Sequence, residues 1–341
     1  MIKGNKITIH DISKALNIDS STVSRALNNS PRVSLKTREK IQKKATELGY
    51  QRNSLASNLR TNRTNTIGVI IPRISRHFFA TVIAGIEETA YEEGYNVVIC
   101  QSLESLDREE KIMNSLASNR VDGILISTSM ETSKFEHIKS YMDNNNPVVF
   151  IDRPSDAFPN CSSISIDNFK ASYDATKLLI EKGRKNIAHF SGPQNIGLYK
   201  TRKEGYIKAL QEHNIPVIER YIFESNLSEE DGIACAKKLL NHPDIDAIYS
   251  ANDTAAISAI QYLKSQGVDI PNNIAVIGFN NDPISEVIEP SLTTINQPGF
   301  EMGKLSTEIL IQQIRNKSEN TKNESKVLVP ELIIRKSSEN S

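Results

Sequence analysis

Apolar runs that alternate with amphipathic segments constrain the fold of this chain more than any other feature. From Thr66 onward, short runs such as IGVII and VVF are separated by longer stretches whose apolar residues recur at helical spacing. Continuous apolar runs indicate β-strands that are covered on both faces, as in parallel sheets. The repeated strand–helix order therefore predicts two doubly wound α/β lobes that follow a separate N-terminal segment.

Charge is divided unevenly between that N-terminal segment and the rest of the chain. The 341 residues carry 41 Lys and Arg and 41 Asp and Glu, so the formal net charge is zero. Residues 1–66 nevertheless hold 13 basic and only 4 acidic side chains. A basic segment attached to an acidic body predicts that the segment contacts a polyanion.

Composition and motifs also exclude several classes of protein. The N-terminus has no apolar signal core, and no apolar run reaches the roughly 18 residues of a membrane span, so we expect a cytoplasmic protein without membrane contact. Three widely spaced cysteines and the absence of metal-ligand spacing predict no metal site and no cofactor. Because the sequence has no G-x-S-x-G elbow, no P-loop and no dinucleotide fingerprint, we do not expect an enzyme.

Three short helices are predicted between residues 8 and 50. Thr8 with Asp11 forms a variant of the capping box, and Asp19 and Ser34 are suitable N-caps for the second and third helices. Asn17 tolerates the left-handed backbone of a tight turn. A helix, a short turn and a short polar helix make a helix-turn-helix pattern, which is typical of DNA-binding proteins. Spacing alone leaves open a small helical bundle with solvated charges.

The second of these helices, predicted over 20–28, carries the candidate DNA-reading residues. Its outward side chains are mostly small hydroxyls, so the helix can lie deep in a major groove. Arg25 can then donate two hydrogen bonds to guanine O6 and N7.

This N-terminal segment resembles the LacI/GalR (lactose-repressor) family of bacterial transcription regulators. The resemblance is most specific in T-V-S-R-A-L-N at 22–28 and in L-G-Y at 48–50. It implies a helix-turn-helix domain at 1–52, a hinge at 53–65 and an effector-binding core at 66–341. It further implies that three residues read bases, namely Ser20, Ser21 and Arg25, and that three contact the DNA backbone, namely Thr22, Ser24 and Asn28.

The hinge at 53–65 has two interpretations. Its composition fits a polar linker, since so short a helix is marginal alone in water. The resemblance implies instead that it becomes helical when two copies meet in the minor groove, with Ala56 and Leu59 in the groove and Arg60 near the backbone. A leucine suits this position because an apolar wedge replaces lost base stacking without needing hydrogen bonds.

By the same resemblance, the body is a two-lobed core like that of periplasmic binding proteins. The analogy assigns about 66–166 and 292–316 to the first lobe, and about 167–291 and 327–341 to the second. Ligands of open α/β sheets bind at the carboxyl ends of the strands, so we expect an effector in the cleft between the lobes. A sugar or sugar derivative is the effector that the resemblance implies.

Candidate effector-binding residues follow the predicted strands. Phe78 and Phe79 offer an aromatic face, although aromatic residues at a helix start are more often core. Asp152 is followed by Arg153, and a carboxylate next to an arginine is often only an ion pair. At the end of a strand, however, the carboxylate can accept hydrogen bonds from two sugar hydroxyls. Asn280 stands where the family often has aspartate, so the hydroxyl pattern that it recognises can differ. The complete set is Phe78, Phe79, Asp152, Arg153, Arg202, Asn252 and Asn280.

The resemblance predicts a homodimer that presents two recognition helices to a pseudo-palindromic operator. We expect pairing through the helices predicted at 79–93 and 107–119, and a repressor whose operator affinity an effector controls. A co-repressed regulator or an activator of the same family would use the same parts. A stand-alone sugar-binding protein is disfavoured, because it would carry a signal peptide in place of the basic head.

Overall fold

The structure is a computed structural model that describes residues 7–50, 63–316 and 323–339. Contacts within the chain separate two units, Met1–Thr64 and Asn65–Ser341. In the described ranges no helix is long and apolar enough to cross a membrane.

The N-terminal unit contains three helices, whose starts are set by local hydrogen bonds. The backbone N–H of Thr8 donates to Asp11 Oδ2 at 2.8 Å, which confirms the predicted capping box. Asp19 and Ser34 accept backbone N–H groups at the next two helix starts, as predicted. Asn17 closes the first helix with φ of 52°, in the left-handed region. The helices are α1 (Ile9–Leu16), α2 (Ser20–Leu27) and α3 (Leu35–Glu47).

A small core holds these three helices together. Every helix contributes apolar side chains at helical spacing, so that one face of each is removed from water. This burial leaves the polar face of α2 outside. The most buried members are Ile12, Val23, Ala26, Ile41 and Ala45.

The first lobe of the larger unit is built on a six-stranded, wholly parallel sheet. In spatial order its strands are β11 (Ser325–Leu328), β5 (Ser162–Ile166), β4 (Val148–Ile151), β3 (Gly123–Ile126), β1 (Thr66–Ile71) and β2 (Asn96–Gln101). Its helices are α4 (His77–Glu92), α5 (Leu106–Ser118), α6 (Glu136–Asp143) and α12 (Gly299–Arg315).

The second lobe repeats this plan with one antiparallel edge. Its strands, in spatial order, are β12 (Glu331–Ile333), β10 (Thr293–Asn296), β9 (Ala275–Phe279), β8 (Ala247–Ser250), β6 (Ile187–Ser191) and β7 (Ile222–Glu224). Only the β10–β12 pair is antiparallel among the described strands of this sheet. Its helices are α7 (Asn168–Glu181), α8 (Gly197–Glu212), α9 (Glu229–Leu239), α10 (Asp253–Ser265) and α11 (Ile284–Val287), with 3₁₀ turns at Glu219–Tyr221 and Lys336–Ser338. The predicted class, a helical head followed by two α/β lobes, is confirmed.

The crossovers between the lobes differ from the prediction in two places. Strand β10 belongs to the second sheet, so only α12 of the predicted segment 292–316 lies in the first lobe. The apolar stretch assigned to the second lobe at 327–341 is divided between two sheets, because β11 pairs with β5 and β12 pairs with β10. Pro330 stands between these two strands, where it ends the ladder because proline has no N–H to donate.

Close approach of two helices places α12 on the first lobe. A Cβ at Gly85 would collide with the carbonyl oxygen of Phe300, and a Cβ at Gly303 with that of Val82. Glycine at both positions therefore lets the backbones of α4 and α12 touch, which seats α12 in the first lobe although β10 lies in the second.

Candidate functional site

The predicted DNA-reading residues lie on one helix of the N-terminal unit and avoid its core. Val23 and Ala26 of α2 are fully buried, which turns the polar side chains of the helix outward. Asn28 already donates from Nδ2 to the carbonyl oxygen of Ser24 at 2.7 Å, so part of its amide supports the helix end. Ser21, Arg25 and Asn28 are exposed, and Ser20, Thr22 and Ser24 are partly exposed.

The hinge residues stay as predictions. Ala56, Leu59 and Arg60 lie outside the described residues.

One cavity of about 580 Å³ lies between the two lobes, and all seven predicted effector residues line it. They come from separate parts of the chain. The two phenylalanines are on α4 and Arg202 is on α8, whereas the others lie one or two residues after strands β4, β8 and β9. The carboxyl ends of parallel strands therefore meet at this cavity, as expected for a doubly wound fold.

An ion pair organises the wall of the cavity in the first lobe. Arg153 donates to both carboxylate oxygens of Glu104, at 2.9 and 3.0 Å, and to the carbonyl oxygen of Thr128 at 2.6 Å. Asp152 is only 5% exposed, and its Oδ1 has no hydrogen-bond partner among the described residues. Burial raises the pKa of Asp152, although the charge of Arg153 opposes this shift. The wall thus holds a buried carboxylate oxygen with free acceptor capacity.

The facing wall in the second lobe presents a buried guanidinium. Arg202 is 3% exposed, and it donates from Nε to Asn168 Oδ1 and from Nη1 to the carbonyl oxygen of Ala251, both at 2.8 Å. Its guanidinium carbon lies 3.4 Å from the ring centroid of Phe279. Burial lowers the pKa of Arg202, and the charge of Asp152 is among the effects that raise it. Asp152 and Arg202 line the same cavity, and their opposite charges attract each other.

The two predicted asparagines differ in what they offer a ligand. Asn252 caps α10, because its Oδ1 accepts the N–H of Ala255 at 2.8 Å and its Nδ2 donates to the carbonyl oxygen of Leu227 at 2.9 Å. Its amide is thus committed to the fold. Asn280 accepts a hydrogen bond from Gln297 Nε2 at 2.8 Å, and the buried Gln297 Oε1 has no partner among the described residues. In this part of the cavity, the groups that can hydrogen-bond a ligand therefore belong to Asn280 and Gln297.

The aromatic candidates form a tilted pair at the edge of the core. The rings of Phe78 and Phe79 have centroids 5.0 Å apart, and both side chains are buried although both line the cavity. They can present apolar contact area to a ring without leaving the core.

A cationic side chain at the mouth of the cavity is hydrogen-bonded within the protein. Arg76, at the start of α4, donates to the hydroxyl of Thr254 in the second lobe. Burial raises the pKa of Asp282, and Arg76 and His77 oppose this shift. Asn195 Nδ2 also donates across the mouth, to the carbonyl oxygen of Met130 at 2.9 Å. These contacts join the lobes beside the cavity.

Three polar lining residues that contact or neighbour the predicted set could not be found as readily from the sequence. Glu104 follows β2, but no local pattern marks it as the partner of Arg153. Gln297 lies just after β10, where the lobe assignment was wrong. Tyr199 precedes Arg202 by three residues on α8, so it shares a helix face with a predicted site residue, and that spacing was the available signal.

A buried carboxyl group next to the cavity predicts a pH-dependent stability. Asp253 accepts hydrogen bonds from Thr294 Oγ1 at 2.6 Å and from the N–H of Asp282 at 2.7 Å, and burial raises its pKa to about 7. Between about pH 4 and pH 7 the native protein therefore holds a proton that the unfolded chain has released. This contribution to the free energy of unfolding falls as the pH rises through that range.

Replacing Asp253 with asparagine is expected to reduce this pH dependence. An amide keeps one acceptor for the N–H of Asp282 and can donate to Thr294, but it does not ionise. Urea unfolding at pH 5 and pH 8 should show a smaller loss of stability for Asp253→Asn than for the parent. Glu87→Gln, which removes an exposed carboxylate on α4, should behave as the parent does. Equal losses in the parent and in Asp253→Asn would contradict the assignment.

A helix-turn-helix head and a two-lobed α/β core with a polar cavity define a DNA-binding transcriptional regulator with a ligand-binding domain. Comparison with known proteins agrees. Residues 8–53 match the model for bacterial regulatory proteins of the lacI family, and residues 64–336 match the model for periplasmic binding proteins and the sugar-binding domain of the LacI family. The chain belongs to the LacI family of transcriptional regulators.

Individual relatives cover nearly the whole chain. Catabolite control protein A of Priestia megaterium is 32% identical over 314 residues, which are 92% of this chain and 94% of the relative. The structure of the Lac repressor dimer bound to operator and the anti-inducer ONPF aligns over 98% of this chain and 99% of its own, with 25% identity and a TM-score of 0.85. A complex of the transcriptional regulator CelR with cellobiose aligns over 97% of this chain and 100% of its own, with 27% identity and a TM-score of 0.75.

Proposed function

We propose that this regulator is a repressor whose operator affinity is controlled by a neutral, polyhydroxylated effector, a sugar or a sugar derivative, bound between the lobes. One observation carries the proposal. Asp152, whose Oδ1 has no hydrogen-bond partner among the described residues, and the buried guanidinium of Arg202 line the same cavity and attract each other. A hydroxyl group both donates and accepts, so a vicinal diol can satisfy a carboxylate on one wall and a guanidinium on the other.

The charge balance of the inner cavity favours a neutral ligand over an acidic one. Arg153 is paired with Glu104, and Arg202 and Asp152 attract each other, so these four buried or half-buried groups carry balanced charges. An anionic ligand would add a negative charge to this balanced set in a poorly solvated site, which costs free energy. Arg76, a further cation that lines the cavity, is hydrogen-bonded to Thr254 and attracted by Asp282.

The seven cavity residues are assigned different tasks in this proposal. Asp152, Arg202 and Asn280 would hydrogen-bond hydroxyls, Phe78 and Phe79 would contact the apolar face of a sugar ring, and Arg153 and Asn252 would hold the walls in place. CelR, which aligns with this chain, is described in complex with cellobiose. That likeness supports a carbohydrate effector without identifying it.

The residues that we propose to contact DNA are those predicted from the sequence. Ser20, Ser21 and Arg25 would read bases, and Thr22, Ser24 and Asn28 would contact the backbone, in a homodimer on a pseudo-palindromic operator. Pairing through α4 and α5 is supported by an exposed aromatic residue on α4, Tyr91, which is 78% exposed in the single chain. The Lac repressor that aligns with this chain is a dimer on its operator. A regulator that acts on DNA in this way works in the cytoplasm and needs no catalysis.

Binding measurements on the purified protein test the proposal. Duplexes are first selected from a random pool, and fluorescence anisotropy then gives the operator Kd with and without D-glucose, D-galactose, D-ribose and cellobiose. D-Glucuronate serves as the acidic control. A neutral sugar that raises the operator Kd supports an induced repressor, whereas one that lowers it shows a co-repressed regulator. Binding of D-glucuronate alone would overturn the neutral effector.

A further inference from the structure

The hydroxyl of Tyr199 is a polar group of the cavity that the protein leaves without a partner. Tyr199 lines the cavity from α8 and is 7% exposed. Its backbone N–H donates to the carbonyl oxygen of Ile196, but among the described residues its phenol hydroxyl makes no hydrogen bond. A buried tyrosine normally finds a partner for this group, because an unpaired hydroxyl costs free energy.

Four other buried tyrosines of the large unit make the contrast clear. Tyr141 donates to the carbonyl oxygen of Val121 at 3.0 Å and Tyr206 to that of Ile187 at 2.7 Å. The hydroxyls of Tyr221 and Tyr249 are likewise hydrogen-bonded, to Asp244 and Ser172. Tyrosines that serve the core are therefore satisfied by the protein, whereas the hydroxyl of Tyr199 is left for something that enters the cavity.

The position of the Tyr199 ring is set by its surroundings. A Cβ at Gly192 would lie 2.5 Å from ring atoms of Tyr199, so glycine at this position creates the space that the ring occupies. The guanidinium carbon of Arg202 lies 5.7 Å from the ring centroid. The phenol therefore stands beside a predicted ligand-binding cation in a fixed orientation.

Charged groups of both lobes surround this phenol. Arg202 is on the same helix, and Asp152, Arg153 and Glu104 of the first lobe line the same cavity. Burial raises the pKa of Tyr199, so the phenol is neutral near pH 7 and can both donate and accept. Tyr199 lines the same cavity as Asp152 and Arg202, so a ligand that these two residues hold shares the cavity with the phenol.

We propose that the Tyr199 hydroxyl is a specificity-determining contact, which hydrogen-bonds one hydroxyl of the sugar effector and so discriminates between sugars that differ in configuration at that carbon. The inference rests on the proposed function and goes beyond it, since it names the residue that selects among neutral sugars. A site built to hydrogen-bond a substrate hydroxyl rejects a ligand that lacks it, because the buried group is then left unpaired.

The test compares Tyr199→Phe with the parent by isothermal titration with D-glucose, its epimers D-galactose and D-mannose, and cellobiose. Tyr199→Phe should bind the parent's preferred sugar about tenfold more weakly and lose most of the discrimination between that sugar and one epimer. Its urea-unfolding midpoint should equal that of the parent, because the hydroxyl has no partner within the described protein.

A matched variant controls for the loss of a phenol hydroxyl elsewhere. Tyr173 on α7 donates to Glu212 Oε2 at 2.6 Å and does not line the cavity, so Tyr173→Phe should bind every sugar as the parent does. Unchanged affinities and an unchanged order of preference in Tyr199→Phe would overturn the inference and leave the proposed function intact. If the parent bound none of these sugars, the neutral-sugar proposal and this inference would both fail.

Discussion

Replacing Arg25 with alanine is expected to weaken binding to the selected operator by about two to four orders of magnitude. A bidentate arginine–guanine contact contributes about 1–3 kcal/mol of discrimination, and a dimer loses it in both half-sites. Arg25 is exposed on α2, next to the buried Ala26, so the substitution removes no core contact. Fluorescence anisotropy at fixed salt, on the selected duplex and on a scrambled one, gives both affinities.

The scrambled duplex separates base reading from general charge. Arg25→Ala should reduce affinity for the selected duplex far more than for the scrambled one. Lys43→Ala removes an exposed cation of α3 and should affect both duplexes by a similar, smaller factor. If Arg25→Ala weakened both duplexes equally, Arg25 would be a phosphate contact and the base-reading assignment would be wrong.

The second large effect is expected from Asp152→Asn in the cavity. A hydrogen bond to a charged group contributes about 1.5–3 kcal/mol, and the amide keeps only one of the acceptor oxygens. Asp152 has a φ of 67°, a conformation that asparagine also adopts readily, so the backbone should be preserved. We expect sugar affinity to fall about ten- to a hundredfold, as measured by isothermal titration with the sugar that the parent binds best.

Two control measurements distinguish the loss of an effector contact from misfolding of the variant. Operator affinity without sugar should be unchanged in Asp152→Asn, because the head is not altered. Asp156→Asn, four residues along in an exposed position, should bind sugar as the parent does. Parent-like sugar affinity in Asp152→Asn would show that the unpartnered carboxylate oxygen does not contact the effector.

Local signals were sufficient for the head and for much of the cavity. The caps at Thr8, Asp19 and Ser34 depend on residues within a few positions of each helix start, so they can be predicted from short stretches of sequence. Cavity residues such as Asp152 and Asn280 follow strongly apolar strands, and the strand ends of a doubly wound sheet converge.

Non-local pairing limited the rest of the prediction. Whether β10 joins the first or the second sheet depends on partners that are far away in sequence, and its own residues carry no signal for either choice. The same holds for the ion pair between Arg153 and Glu104, which are 49 positions apart. Tyr199 was overlooked because an aromatic residue on an amphipathic helix is usually core. Its three-residue spacing from Arg202 and the absence of a partner for its hydroxyl are what distinguish it.

Reciprocal coupling between the two ligands is the most direct test of the central claim. The operator Kd is measured by anisotropy with and without saturating sugar, and the sugar Kd by titration with and without saturating operator. If occupancy of the cavity controls the head, the two ratios must be equal and different from one, because coupling free energies are reciprocal. A sugar that binds the cavity tightly while the operator Kd stays the same would contradict the account.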